Sequence, residues 1–197
     1  WMILAYHAIF TTYGFWLPND PRGSWSDFVW SWELFRFGPA TKVETRSSLA
    51  AKPHDHALRL AAKEALKYPK VHFDGHQALS VANGFTTATG EGGYRVYACS
   101  ILPEHVHMVV ARCGRSIEQI IAHLKAKATM QLNADGRHPL AGCIDRYGRT
   151  PTPWAARRWK CFLNNEEAVA RAVHYVEQNP VKEGKRRQRW SFVVPWT

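Results

Sequence analysis

The spacing of apolar and polar positions divides the chain into a short series of elements. Residues 2–12 are apolar along most of their length and read as a first strand, buried on most of it. Over 54–68, Leu58, Ala61, Ala62, Ala65 and Leu66 share one face while Arg59, Lys63 and Lys67 lie outside, which predicts an amphipathic helix stopped by Pro69. A weaker helix is expected within 75–89, around Leu79, Val81 and Phe85. The stretch 94–112 reads as a hairpin: a strand over 94–102, a tight turn at Pro103 and Glu104, and a returning strand over 106–111. A helix over 116–132 opens on a capping box, Ser116 with Gln119, and buries Ile117, Ile120, Ile121, Leu124 and Ala128. A Gly/Pro-rich connector over 133–157 leads to a short strand at 159–163. The last helix, capped by Asn164 or Asn165, buries Val169, Ala172, Val173 and Val176 and is expected to end near Asn179, before Pro180.

Between the first strand and the first helix the pattern lapses. Residues 13–39 are rich in Gly, Pro and Trp, and the turn signals Pro18, Asn19, Asp20, Pro21 and Gly23 exclude a regular helix. Trp16, Trp25, Trp30 and Trp32 offer flat faces on which unpaired bases stack, with Arg22 and Arg36 for phosphates. The same side chains serve equally to fasten a long loop, and that packing role is the favoured one. No repeat or low-complexity tract interrupts the chain.

Composition narrows the class. A chain of 197 residues suits one domain with an elaboration, and 46% hydrophobic residues exclude disorder. The formal charge of +10 favours a polyanionic partner, nucleic acid ahead of a membrane surface. Cys99, Cys113, Cys143 and Cys161 are scattered without a C-x-x-C pair, the usage of reduced thiols in the cytoplasm. No apolar run reaches membrane-spanning length and no signal-peptide pattern is present. The opening residue, Trp1 rather than methionine, suggests that a few residues precede it.

Two places carry candidate chemistry. His105 and His107 stand two apart on a strand, so both imidazoles face one side, opposite Val106, Met108 and Val110. Either they converge on one divalent cation, or they are the solvent face of a half-buried strand. In the last helix Tyr175 and Asn179 lie one turn apart, about 40° apart around the axis, at one border of the apolar stripe. Beside a metal they make a nucleophile and a third ligand; without one, Tyr175 merely borders a core. His7, alone on a core strand, reads as a satisfied core polar group. His54 and His56 sit at a helix start, where residues two apart diverge, and read as surface residues.

At this point the chain resembles a known family. The stretch LPEHVHMVV resembles the histidine–hydrophobe–histidine (HUH) motif, and AVHYVEQNPVKEG resembles the tyrosine helix of the single-tyrosine HUH transposases. The Tyr-x-x-x-Asn-Pro-Val spacing is most similar to that of the REP-associated tyrosine transposases, and the resemblance covers roughly residues 94–184. Gly14–Pro18 is similar to a stretch that opens some relatives. The expected fold is α+β: a ferredoxin-like βαββαβ antiparallel sheet with helices on one face, an appended tyrosine-bearing helix and a long insertion after the first strand. The element order read from the pattern agrees. We therefore expect a single catalytic domain over 1–197 with an insertion at about 13–93, longer than is usual in the family.

The resemblance implies a transposase that cleaves and rejoins single-stranded DNA, its substrate carrying a hairpin, through a covalent 5′-phosphotyrosine. Tyr175 is then the nucleophile, and His105, His107 and Asn179 hold Mg²⁺ or Mn²⁺, with Gln178 the second choice of third ligand. Lys125, Lys127, Arg157, Arg158, Lys182, Lys185, Arg186 and Arg187 are the expected DNA contacts, with solvated faces as their alternative. A monomer acting in cis is favoured over a homodimer, in the cytoplasm at the nucleoid. The main alternative is a non-catalytic nucleic-acid-binding module of ferredoxin-like fold, but the strands at 94–102 and 106–111 lack its aromatic platform. A metal-dependent hydrolase of small molecules leaves the basic excess unexplained.

Overall fold

The computed structural model describes residues 2–15, 17, 32–37 and 55–196, and the backbone alone of Trp32, Glu33, His56 and Arg157. Trp16, Trp25, Trp30, Arg22 and His54 lie outside the described residues, as do the side chains of Trp32 and His56. In chain order the elements are β1 (Ala5–Thr12), α1 (Trp32–Phe35), α2 (His56–Glu64), α3 (Gly75–Gly92), β2 (Val96–Ile101), β3 (His105–Ala111), α4 (Ile117–Ala134), β4 (Trp154–Leu163) and α5 (Glu166–Lys182). They fall into two compact units, residues 1–12 with 72–197, and residues 13–71.

In the first unit the four strands form one sheet in the order β2-β3-β1-β4, with every neighbouring pair antiparallel. This is the ferredoxin-like order, with α3 and α4 as the two crossover helices and α5 appended. The crossover helix α3 thus belongs to this unit, although it falls within the 13–93 segment read as an insertion.

Pairing register decides which side chains share a face. Tyr6, Ala8 and Phe10 of β1 lie beside Val110, Met108 and Val106 of β3, under α3 and α4. Phe10 meets Phe85 of α3 edge-on at 6.0 Å, and Val106, Met108, Val110, Ile120 and Leu124 are fully buried there. Helices α3 and α4 nearly touch: a Cβ on Gly84 would stand 2.5 Å from the Ala128 Cα, so only glycine fits. On the opposite face Ala5, Ala98, Val109 and Leu163 pack against Val169 and Val176 of α5.

Several elements run further than the sequence pattern suggests. Helix α3 is not the weaker one expected: it spans 18 residues, opens on a capping box of Asp74 with Gln77, and is held by packing on α4 despite its glycines. Strand β4 begins at Trp154, inside the stretch read as connector, because β1 pairs with it past a bulge opposite Phe10–Thr12. Pro180 does not end α5, which continues to Lys182. The last turn is closed instead by the Glu183 amide on the Asn179 and Pro180 carbonyls. Proline removes its own N–H but leaves those acceptors in place.

After α5 the chain runs along the free edge of β2. The Gln188 carboxamide bonds both the N–H and the C=O of Ile101 at 2.7 Å, and Val194 donates to the Val96 carbonyl. The edge strand is thereby covered.

In the second unit Asp55 caps α2, accepting from the Leu58 amide at 2.8 Å. Ala62 of α2 packs with Leu17, Leu34 and Phe37 in a small core.

Candidate active site

Strand β3 occupies the centre of the sheet, so its side chains are held by neighbours on both sides. His105 and His107 project from its α5 face with ring centroids 5.0 Å apart. The pairing of β1 with β3 brings a third imidazole to them: His7 Nε2 lies 3.1 Å from His107 Nδ1, and both rings are buried. Burial, then the neighbouring His105 and His7, hold the His107 imidazole well below its ordinary pKa, so it is neutral and fit to bind a cation.

Helix α5 lays a ladder of polar residues over this pair. Tyr175 is 43% exposed, yet its ring centre lies 5.7 Å from that of His107 and 5.8 Å from that of His7. Glu183, two turns on, brings a carboxylate oxygen 3.6 Å from His105 Nε2. Asn179 stands midway between them on the same helix face. It is buried, and its Nδ2 has no hydrogen-bond partner. Turning the amide over would place an equally unpartnered carbonyl oxygen at that position. Lys182 reaches back so that its ammonium lies 4.8 Å from the Tyr175 ring centre.

Among the described residues, no group of three or more His, Cys, Asp or Glu side chains is placed to hold a metal ion. The donors on offer are the imidazoles of His105 and His107, with the unpartnered Asn179 carboxamide on the helix between Tyr175 and Glu183. That mixed nitrogen and oxygen set, on a central strand and a packed helix, fits a divalent cation. Gln178, the second choice of third ligand, is half-buried, whereas Asn179 is buried in line with Tyr175.

The expected DNA contacts do not gather on one surface. Lys182, Lys185, Arg186 and Arg187 are exposed at and after the end of α5. The Gln188 clamp on Ile101 keeps that run near the tip of the β2–β3 hairpin, where His105 begins β3. Lys125 and Arg158 lie on the other face, where α4 and β4 border a cavity of about 440 Å³ with Trp154 and Thr129. There Lys125 donates to the Ala155 carbonyl at 2.8 Å, and burial with the Arg158 charge pushes its pKa down to about 8. Lys127 is paired with Glu91 of α3 at 2.7 Å, so its charge is already answered. The backbone of Arg157 lies in β4.

Sequence reasoning missed two residues of the site. His7 was indeed partnered, as a core histidine should be, but its partner is His107, a relation only strand pairing reveals. Glu183 follows Pro180, past the point where local pattern ends the helix. Its spacing from Tyr175 and Asn179, four residues at each step, was the available signal.

No protein-family model matches the chain, and no curated protein matches it. Among solved structures it is similar to a REP-associated tyrosine transposase bound to a REP hairpin, at 14% identity and a TM-score of 0.48, over 98% of this chain and 77% of that one. It is also similar to a candidate transposase from Deinococcus radiodurans R1, at 13% identity and a TM-score of 0.40, over 90% of this chain and 92% of that one.

Proposed function

We propose that the chain is a transposase-type single-strand DNA endonuclease that cuts and rejoins DNA through Tyr175. The observation that carries the reading is the approach of the Tyr175 ring to that of His107, 5.7 Å between centres, from elements far apart in sequence. A phenol beside the neutral imidazole of His107 is what attack on a phosphodiester beside a bound cation requires. His105, His107 and Asn179 would hold that cation, Mg²⁺ or Mn²⁺. When bound, it supplies Lewis-acid polarisation of the scissile phosphate.

The Tyr175 oxygen attacks phosphorus and the bond to the 3′ oxygen breaks. The phenol proton ends on the departing 3′ hydroxyl, and the 5′ phosphate stays on the tyrosine. The ester bond is exchanged rather than hydrolysed, so an incoming 3′ hydroxyl reverses the step without ATP. Lys182 over the ring stabilises the phenolate as it forms. Lys185, Arg186 and Arg187, beside the hairpin tip, take the flanking phosphates, so affinity falls steeply with salt.

The test is to incubate the protein with Mn²⁺ and a library of single-stranded hairpin DNAs, and to map any covalent protein–DNA product. Attachment of the 5′ end to Tyr175 supports the reading. Cleavage products with no protein attached, or attachment elsewhere, contradict it.

A further inference from the structure

His7 holds a position that neither the motif nor the ligand set explains. Its register on β1 places it opposite Val109, diagonal to His107 on the same face. Its ring is enclosed by three others: Trp159 edge-on at 5.4 Å, Tyr175 at 5.8 Å and His107 at 5.4 Å. Its Nε2 lies 3.1 Å from His107 Nδ1, within hydrogen-bonding distance. A buried imidazole packed this closely cannot swing away, so the bond constrains the orientation and the tautomer of its partner.

The consequence follows from proton counting. Two facing ring nitrogens share one proton. If His7 Nε2 carried it, His107 Nδ1 would accept, and neutral His107 would keep its proton on Nε2, closing that nitrogen to a cation. If His107 Nδ1 carries it, Nε2 bears a free lone pair. We infer that His7 is the positioning residue of the site: it accepts from His107 Nδ1–H and so holds His107 in the tautomer whose Nε2 is open to the cation. By its ring contact with Tyr175 it also sets the distance between nucleophile and ligand. This inference rests on the proposed metal-assisted chemistry, and it identifies a residue outside the ligand set on which cation binding depends.

His7→Phe keeps a ring against Trp159 and Tyr175 and removes the nitrogen that faces His107. His7→Gln restores an acceptor near the same place. The histidine ring nitrogens are read by long-range ¹H–¹⁵N NMR in metal-free protein, and Mn²⁺ affinity is read by titration. In the wild type the proton is expected on His107 Nδ1. In His7→Phe that preference is lost and Mn²⁺ binds about 10–100-fold more weakly. His7→Gln recovers most of both, with unfolding curves recorded to verify that each variant is folded. A proton on His107 Nε2 in the wild type overturns the inference. So does an Mn²⁺ affinity unchanged in folded His7→Phe, while the metal reading itself stands. A wild-type protein that binds no Mn²⁺ overturns the metal reading and this inference with it. If His7→Phe alone fails to fold, His7→Gln decides: wild-type tautomer and affinity support the assignment, and their loss in a folded variant overturns it.

Discussion

The two faces of the sheet share one backbone and differ in almost everything else. Toward α3 and α4, strand β3 presents Val106, Met108 and Val110, all fully buried, and the helices close on them through Phe85, Ile120 and Leu124. Toward α5, the next residues along the same strand are His105 and His107, covered by a helix that leaves Tyr175 accessible and an Asn179 amide unpartnered. A strand's period of two is what separates them: one step of register exchanges an all-apolar face for the face that bears His105 and His107. The histidines can stand on this face because the sheet is anchored around them, by Val106, Met108 and Val110 on the other side and by Val109 packed with Val169 and Val176 on their own.

That division predicts which substitutions unfold the protein and which disarm it. Phe85→Ala, on the buried face, should cost about 3–5 kcal/mol in urea unfolding. His105→Ala, across the sheet, should leave stability within about 1 kcal/mol of wild type. The same substitution should lower metal-dependent cleavage about 100-fold or more, as expected when charge stabilisation worth several kcal/mol is lost. Equal loss of stability from both would break the comparison. Gly84→Ala forces a methyl toward the Ala128 backbone and should cost about 1–3 kcal/mol, again without a specific effect on cleavage beyond the loss of folded protein.

Acid should act through the other face. The unfolded chain takes up a proton on residue 107 at about pH 6.5, which the native site resists because the ring is buried against His7 and His105. Stability from this group is therefore complete above that pH and declines as the pH falls beneath it, by at most about 1.4 kcal/mol per unit. A His107→Phe variant should show a flatter profile over the same range, measured by thermal melts. An identical acid slope in both would remove His107 from the account.

The parts of this arrangement that were legible in sequence are those fixed by local periodicity. Alternation set His105 beside His107, and the 3.6-residue repeat aligned Val169, Ala172, Val173 and Val176 and placed Tyr175 with Asn179 at their border. Ser116 and Gln119 marked the start of α4, and both capping-box bonds form. What local pattern does not contain is pairing. His7 belongs to the site only because β1 lies beside β3, and β4 reaches back to Trp154 only because β1 continues there past a bulge. Helix α3 carries Gly75, Gly84, Gly90 and Gly92, which argue against a helix on propensity; close approach to α4 reverses that judgement at Gly84. Pro180 is a breaker by local rule, but it leaves the carbonyl acceptors of the final turn in place, and α5 runs on to Lys182 with Glu183 as its cap.

The central claim is that the phenol of Tyr175 is the group that bonds to DNA. Its most direct test is single-turnover cleavage of a cognate strand in Mn²⁺ by wild type and Tyr175→Phe, with DNA affinity measured alongside. The account predicts that removing this one oxygen abolishes both strand scission and the covalent product while affinity stays within about twofold. Scission by Tyr175→Phe at the wild-type rate would contradict it.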